Sequence, residues 1–541
     1  MSTAAADSAP DDASQGAPGL QRRIGWKDAF WVASGVPALV LFTIGGVAAT
    51  SGKVSWLVWV AAIMVAFIQA FTYAEIAGLF PGKSGGAAIH SAIAWSRYGK
   101  LFAPIAVWCN WSAWSVVLSI GAGLGAGYVL NLLFAPDAAI TSWQIVLADL
   151  GWLKEGLTLR INATFIVAAT LLLGCFAIQR GGILQSARVT MLLGIAALVP
   201  LILIGIVPLL TGDMPRGNFL PLVPLAYDAA GQAADGAWDK AGWIAVSGAL
   251  FVALWSANGF ETAACYTREF RDPARDTFLA LMSSGLLCVA VFTLVPLAFQ
   301  GSLGIDGMIA PGIRSGMDVG HVLADILGGG IVLETVIAVL LILAILLCIM
   351  TAMSGAARTS YQGSVEGWLP RYLSHVNKAG APTHAMWTDL VLNLGLLLMS
   401  DYIFVLAATN VSYMVFTFLY VNAGWIHRLD RPHWVRPYRV PRLLLIAGVL
   451  MSFVNMAVAG LGANTWGQGT LLTGFVIVFL AVPFFVYRHY IQDKGVYPVN
   501  MVEDMHLGEE AGVSARAGVL PYVALAAAGL VVVAGHLWVT S

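Results

Sequence analysis

Along this chain, long apolar runs alternate with short polar intervals at a spacing that suits a lipid bilayer. The runs lie near 29–51, 55–79, 101–134, 160–178, 186–211, 243–266, 278–299, 331–357, 384–400, 402–425, 441–463, 470–487 and 518–539. Crossing a bilayer as a helix takes roughly 17–25 such residues, so the pattern predicts thirteen helical spans. The ninth and tenth are separated only around Asp401. Residues 1–25 are polar and rich in Ala, Ser and Asp, the composition of a disordered tail. The first run is too long for the core of a signal peptide, so it reads as a span.

Two of the runs are interrupted. Span one contains Ser34-Gly35-Val36-Pro37, and span six contains Ser256-Ala257-Asn258-Gly259. Proline removes a helix N–H and clashes with the preceding turn, while glycine lowers the cost of leaving helical geometry. Spans one and six hold corresponding places in two five-helix halves. Discontinuous helices in matching positions are the sequence mark of a transport site near the bilayer midplane.

Composition agrees with the pattern. Hydrophobic residues make up 59% of the 541-residue chain and charged residues 11%, against about 25% charged in soluble proteins. So few charges cannot cover a water-facing surface, and the solvent for most of the chain is lipid. The net charge of −1 points to no nucleic-acid partner. Cys109, Cys175, Cys265, Cys288 and Cys348 all lie inside apolar runs without metal-ligand spacing and read as small apolar fillers. No disulfide and no metal site is expected.

Charge also orients the spans. With the N-terminus in the cytoplasm, 22 of the 28 Lys and Arg residues fall inside, and only Lys53, Lys154, Arg160, Arg216, Lys240 and Arg314 fall outside. This is the bias the positive-inside rule requires. It sets the expected divisions: a cytoplasmic tail over 1–25, spans one to five over 26–211 and an extracellular loop over 212–242. Spans six to ten then occupy 243–430, and spans eleven and twelve 431–490. A cytoplasmic linker over 491–517 leads to the thirteenth span and C-terminus over 518–541.

Ionisable residues inside the spans are few. Glu261 sits beside the span-six break, where a charge costs several kcal/mol unless paired, hydrated or neutralised. Two readings stay open: a protonatable gate or counter-charge, and an acceptor for backbone N–H groups freed by the break. Glu75, near the inner end of span two, is within reach of a cytoplasmic arginine and reads as a structural ion pair. Trp108, Trp111, Trp114, Trp255 and Tyr413 are candidates to line a path, although interfacial anchoring or packing is the default for any one of them. His427, Asp430 and His433 fall in a short basic interval and read as part of a solvated loop.

Four motifs carry a resemblance. After span two comes Ala74-Glu75-Ile76-Ala77-Gly78-Leu79-Phe80-Pro81, then Gly85-Gly86. Span six reads Leu254-Trp255-Ser256-Ala257-Asn258-Gly259-Phe260-Glu261, then Glu269, Asp272-Pro273 and Arg275. Span eight ends in Gly355-Ala356-Ala357-Arg358-Thr359, followed by Glu366-Gly367-Trp368-Leu369-Pro370 and Val376-Asn377-Lys378-Ala379-Gly380-Ala381-Pro382. After span ten stands Arg436-Pro437-Tyr438-Arg439-Val440-Pro441. In this order the chain resembles the amino acid–polyamine–organocation transporters, amino acid permease type.

The resemblance implies an all-α integral membrane protein with a leucine-transporter-type 5+5 inverted repeat, about 12 core helices and an extra C-terminal thirteenth. It places substrate against the backbone of Gly35, Val36, Pro37 and Ala38, with Trp255, Ser256, Asn258 and Gly259 as the other wall and Glu261 as coupling or gating group. Where many amino-acid carriers have G-x-G at the span-one break, this chain has Leu39-Val40-Leu41, a departure that favours polyamines or other amines beside amino acids. Some proton-coupled relatives have a lysine in span five where Ala197 stands here, which favours exchange over proton symport. A sodium site would draw on Thr351 and Ser354.

The expected function is secondary active transport of an amino acid, polyamine or related small amine across the cytoplasmic membrane, by symport or exchange. A transporter-like solute sensor is the alternative. No P-loop is present, no enzyme activity or cofactor is expected, and a proton or sodium ion is the candidate coupling ion.

Overall fold

The computed structural model describes residues 20–541 except 21, 136, 212–213, 228–231, 315–318, 320–323, 325–327 and 505–514. The chain is almost entirely helical. Helix α1 (Trp26–Ala33), a 3-10 turn (Val36–Leu39) and α2 (Val40–Ser51) occupy the first apolar run, and α3 (Ser55–Ala77) the second. Then follow α4 (Gly86–Trp95), α5 (Phe102–Leu133), α6 (Ala163–Gln179) and α7 (Ile183–Thr211). The second half holds α8 (Lys240–Ala257), a 3-10 stretch (Gly259–Glu269), α9 (Pro273–Ile309), α10 (Ile331–Val365), α11 (Thr383–Leu396) and α12 (Tyr402–Asp430). Helices α13 (Arg442–Gly462), α14 (Thr470–Phe479), α15 (Ala481–Val486) and α16 (Leu520–Thr540) complete it.

Among the described residues, nine helical stretches are long and apolar enough to cross a membrane. The first two apolar runs share one of them, Trp26–Ala77, while α6 and the described part of α7 are shorter apolar helices. The run at 384–400 becomes α11, separated from α12 by residues 397–401, which include the expected divider Asp401.

Helix starts follow from local chemistry. The side chains of Asn162, Asp239, Asp272 and Asp401 accept the first free N–H groups of α6, α8, α9 and α12, from Phe165, Gly242, Arg275 and Phe404. Such caps satisfy donors that lipid could not. The Asp272-Pro273 pair of the second motif is thus a cap followed by a first-turn proline.

Helices α5 and α12 are the most buried of the nine stretches and α16 the least. Helix α5 packs on α10, α12 and α6; α3 packs on α9 and α8; α16 lies along α13. At Gly460 the α13 backbone approaches α16 so closely that a Cβ would collide with the Val532 carbonyl, the small-residue contact typical of membrane helices.

The intervals before spans four and six carry structure, and the first of them reaches into the expected start of span four. A hairpin of β1 (Gln144–Asp149) and β2 (Thr158–Asn162) docks on the α11–α12 connection, with Arg160 N–H donating to Leu398 and Ser400 N–H to Thr158. The 212–242 interval contains a second hairpin, β3 (Leu225–Tyr227) with β4 (Ala233–Asp235). The tail expected over 1–25 lies largely outside the described residues, but its last part is held. Arg23 and Ile24 donate N–H to the Glu269 carbonyl, and Arg271 donates to Ile24. All five cysteines are buried free thiols.

Candidate substrate site

Both expected helix breaks are present and face each other. At the first, Ser34 and Ala38 donate their N–H groups only three residues back, to Trp31 and Gly35. Pro37 has no N–H to continue the helical ladder. The Val32 carbonyl is capped instead by the Thr351 hydroxyl of α10, at 2.5 Å. At the second, α8 ends at Ala257 and the chain continues as a 3-10 stretch from Gly259. A Cβ at Gly259 would fall 3.0 Å from Val36 Cγ1 and strike the Trp114 ring, so glycine is what lets the two breaks and α5 meet. The Thr43 and Ser256 hydroxyls, 2.9 Å apart, add a polar link beside them.

The expected residues divide between these surfaces. Gly35 turns to α10: a Cβ there would stand 2.6 Å from Thr351 Oγ1 and 2.7 Å from Cys348 Cα. It serves close packing, whereas Val36 meets span six. Val36, Pro37, Ala38, Trp255, Ser256 and Asn258 are all buried. The Asn258 amide donates to Leu254 one turn back, and its Oδ1 has no partner among the described residues.

Glu261 is 2% exposed. Its Oε1 accepts from the Trp114 indole at 3.1 Å and the Tyr413 hydroxyl at 2.7 Å, while Oε2 accepts from no described group. The side-chain donors to Glu261 thus come from α5 and α12. Tyr413 also reaches the Asn258 carbonyl at 3.4 Å. Trp114 and Tyr413, packing residues by default, belong to the site. Their sequence signal was an amphipathic aromatic inside a span rather than at its end. Thr43 gave no signal at all.

The family-like motifs sit elsewhere. They clasp one another at the side of the molecule that carries Ile24. Glu75 accepts from Arg428 at 2.5 and 2.9 Å, from Arg436 at 3.1 Å and from the Val440 N–H at 2.7 Å, joining the first motif to the fourth. Glu269 takes both arms of Arg358, at 2.5 and 3.0 Å, joining the second to the third. Lys83 pairs with Glu366 at 2.5 Å. Gly85 and Gly86 adopt positive φ, and Cβ atoms there would press on the Arg358 carbonyl and Cys265 Sγ. The expected ion pair at Glu75 is present. Outside the membrane-spanning helices, partial burial lowers the Arg436 pKa from its ordinary value, with Glu75 opposing.

His427 and Asp430, expected in a solvated loop, are buried. His427 contacts the His90 carbonyl and Arg431, and Asp430 takes the Tyr98 hydroxyl at 2.8 and 2.9 Å. The last turn of α12 runs on into this packed network. Thr351 and Ser354, the sodium-site candidates, are engaged by the Val32 carbonyl and by Arg358. Among the described residues no group of three His, Cys, Asp or Glu could hold a metal ion.

At the opposite side a cavity of about 650 Å³ opens between the outer parts of α2 and α8, lined by Gly46, Thr50, Ala241 and Ala245. The paired Lys154 and Asp401 stand at its wall. The two breaks therefore lie buried between an open vestibule and a side closed by ion pairs.

Comparisons with known proteins agree. The branched-chain amino acid permease BcaP of Lactococcus lactis subsp. cremoris (strain MG1363) is 24% identical over 373 residues, covering 66% of this chain and 72% of the relative. A family model described as amino acid permease matches residues 24–487, from the strand-like Ile24 contact through α15. With the breaks, motifs and buried site all inside that match, the chain belongs to the amino acid permease family of the amino acid–polyamine–organocation superfamily.

Proposed function

We propose that this permease is a secondary active transporter that carries an amino acid by alternating access, its spans one to ten forming a 5+5 inverted repeat. The observation that carries the reading is the apposition of two helix breaks, Val36–Leu39 and Gly259–Glu269, deep in a nearly all-helical membrane protein. Breaks free backbone groups that lipid cannot satisfy, and a zwitterion supplies both kinds of partner. The α2 N-terminus favours a carboxylate, and carbonyls at the α8 C-terminus favour an ammonium group.

Val36, Ala38, Leu39, Trp255 and Phe260 surround the breaks with apolar surface. That surface suits an aliphatic side chain, and the Lactococcus relative is named a branched-chain amino acid permease. Aliphatic amino acids are therefore the first candidates, ahead of polyamines and other amines. The positive-inside bias supports a cytoplasmic N-terminus in the cell membrane. On that threading the Glu75, Glu269 and Glu366 ion pairs close the cytoplasmic side and the vestibule faces out.

Reconstituted protein should accumulate or exchange a labelled aliphatic amino acid under an ion or solute gradient, with the unlabelled substrate competing. Selective ligand stabilisation in a thermal-shift screen, without flux for any member of a broad panel of amino acids and amines, would instead establish a solute sensor.

A further inference from the structure

A second carboxyl is buried as deeply as Glu261, and neither the motifs nor the substrate site uses it. Asp389, midway along α11, is fully buried. Its Oδ1 accepts from the Trp111 indole at 2.7 Å and the Ser115 hydroxyl at 2.9 Å, both from α5. Ser115 in turn accepts from the Asn393 amide at 2.9 Å, which fixes the hydroxyl as donor to Asp389. Asn393 Oδ1 takes the Ser119 N–H at 3.0 Å. Both side chains that bond the Asp389 carboxyl donate to Oδ1, and Oδ2 has no partner among the described residues.

No cation balances it. Helices α5 and α6 carry no charged residue, and α11, which packs on them, on α10 and on the 3-10 turn Arg371–Ser374, adds only His384. On α10, Arg358 is bound to Glu269 and Glu334 lies in the first turn; on the 3-10 turn, Arg371 is bound to Asp493. His384 bonds the Tyr372 carbonyl. The remaining ionisable groups of these elements are the thiols of Cys109, Cys175 and Cys348 and the phenols of Tyr128, Tyr361 and Tyr372. None of them bonds Asp389. Glu75, Glu269 and Glu366, buried as well, each face an arginine or lysine.

Two donors on one oxygen and none on the other is the pattern of a carboxylic acid, whose carbonyl oxygen accepts and whose second oxygen holds the proton. An ionised carboxylate would leave Oδ2 bare in a dry interior at a cost of several kcal/mol. Glu261 shows the same asymmetry, and its indole donor, Trp114, lies three residues from Trp111 on α5. We propose that Asp389 is a reversible proton-binding site, separate from the substrate site, whose occupancy reaches Glu261 through α5. The carboxylate takes one proton from hydronium, forming the O–H bond at Oδ2 as an O–H bond of hydronium breaks and leaves water, and it returns the proton to a water molecule by the reverse step. The coupling to flux rests on the carrier reading above; the proton site itself does not.

The test is infrared spectroscopy of the purified full-length protein in the carbonyl region of protonated carboxylic acids. Wild type should show a band that D389N lacks, and that band should fade as pH rises. E261Q should keep the band and shift the pH at which it fades, since coupling between two sites is reciprocal. Trp111→Phe retains the carboxyl but deletes one donor, so it should move the band to higher frequency even where D389N folds poorly. A spectrum in which D389N removes no band, a band of constant intensity at every pH, or one unmoved by Trp111→Phe overturns the proposal. In proteoliposomes with an enclosed pH dye, D389N should exchange amino acid while proton movement falls about tenfold, a coupling of the usual size. Wild-type protein with a titrating band and no amino-acid flux would leave the proton site standing and remove the carrier reading.

Discussion

Glu75 and Glu261 are one residue type in two environments, and their surroundings assign them opposite work. Both oxygens of Glu75 are held by cations or by the Val440 N–H, so its charge is compensated where it stands. Removing that charge leaves the partly buried Arg428 and Arg436 beside a neutral group, a change that approaches the cost of a broken buried pair, about 3 kcal/mol. Glu75→Gln should therefore lower the thermal unfolding midpoint of the detergent-solubilised protein sharply. Glu261→Gln should not, because the amide oxygen still accepts from Trp114 and Tyr413 and no cation is orphaned. It should instead abolish or displace the pH dependence of flux. An unaltered rate and pH profile in Glu261→Gln would take this residue out of coupling, and equal melting of the two variants would undo the contrast.

At the scale of elements, the breaks were legible in the sequence and their supports were not. Gly35 and Pro37 announce the first break through backbone chemistry local to them. The partner that stabilises it, Thr351, lies more than 300 residues away, and no periodicity connects the two. The second break was expected over Ser256–Gly259 yet runs on to Glu269. There the Thr262 and Thr267 hydroxyls bond carbonyls three residues back, competing with the α-helical ladder. Four motifs were readable as a family pattern, but only the fold shows that they meet pairwise, Glu75 with Arg436 and Glu269 with Arg358. Asp389, the one acid in the run at 384–400, drew no reading from the sequence, because its α5 donors are separated from it by more than 270 residues. The Thr351 contact makes its own prediction. Thr351→Val keeps the shape but strips the Val32 carbonyl of its donor, at about 1–3 kcal/mol for a buried unsatisfied group. The variant should melt earlier than wild type, whereas Thr351→Ser, which retains the hydroxyl, should recover most of the difference. Equal midpoints for the Val and Ser variants would show that the hydroxyl does not support the break.

For the whole molecule, the alternating access proposed above requires something to hold one side shut while the other is open. Glu269 ends the broken span six, and two elements converge on it: Arg358 from α10 on its carboxylate, Arg23 and Ile24 from the N-terminal segment on its carbonyl. The Arg358 guanidinium also lies over the Tyr266 ring at 4.8 Å and donates to Ser354 at 2.7 Å. Replacing Glu269 by Gln leaves a buried guanidinium without its counter-charge. The strain is relieved most directly by parting α10 from the 3-10 stretch so that water reaches Arg358. The equilibrium then moves toward the state open on this side, because only the closed state suffers from the change. A native reporter stands beside the contact. Cys265 is a buried free thiol pressed against Gly86, shut off from reagents in the closed form. In sealed vesicles, Glu269→Gln should raise labelling of Cys265 by an impermeant maleimide from the N-terminal face by about tenfold, a shift of about 1.4 kcal/mol. Labelling from the vestibule face should fall or stay at its low wild-type level. The substrate should reverse part of the gain if it favours the closed form. Labelling that stays at the wild-type rate, or rises equally from both faces as general unfolding would make it, removes the Glu269–Arg358 pair from the gate.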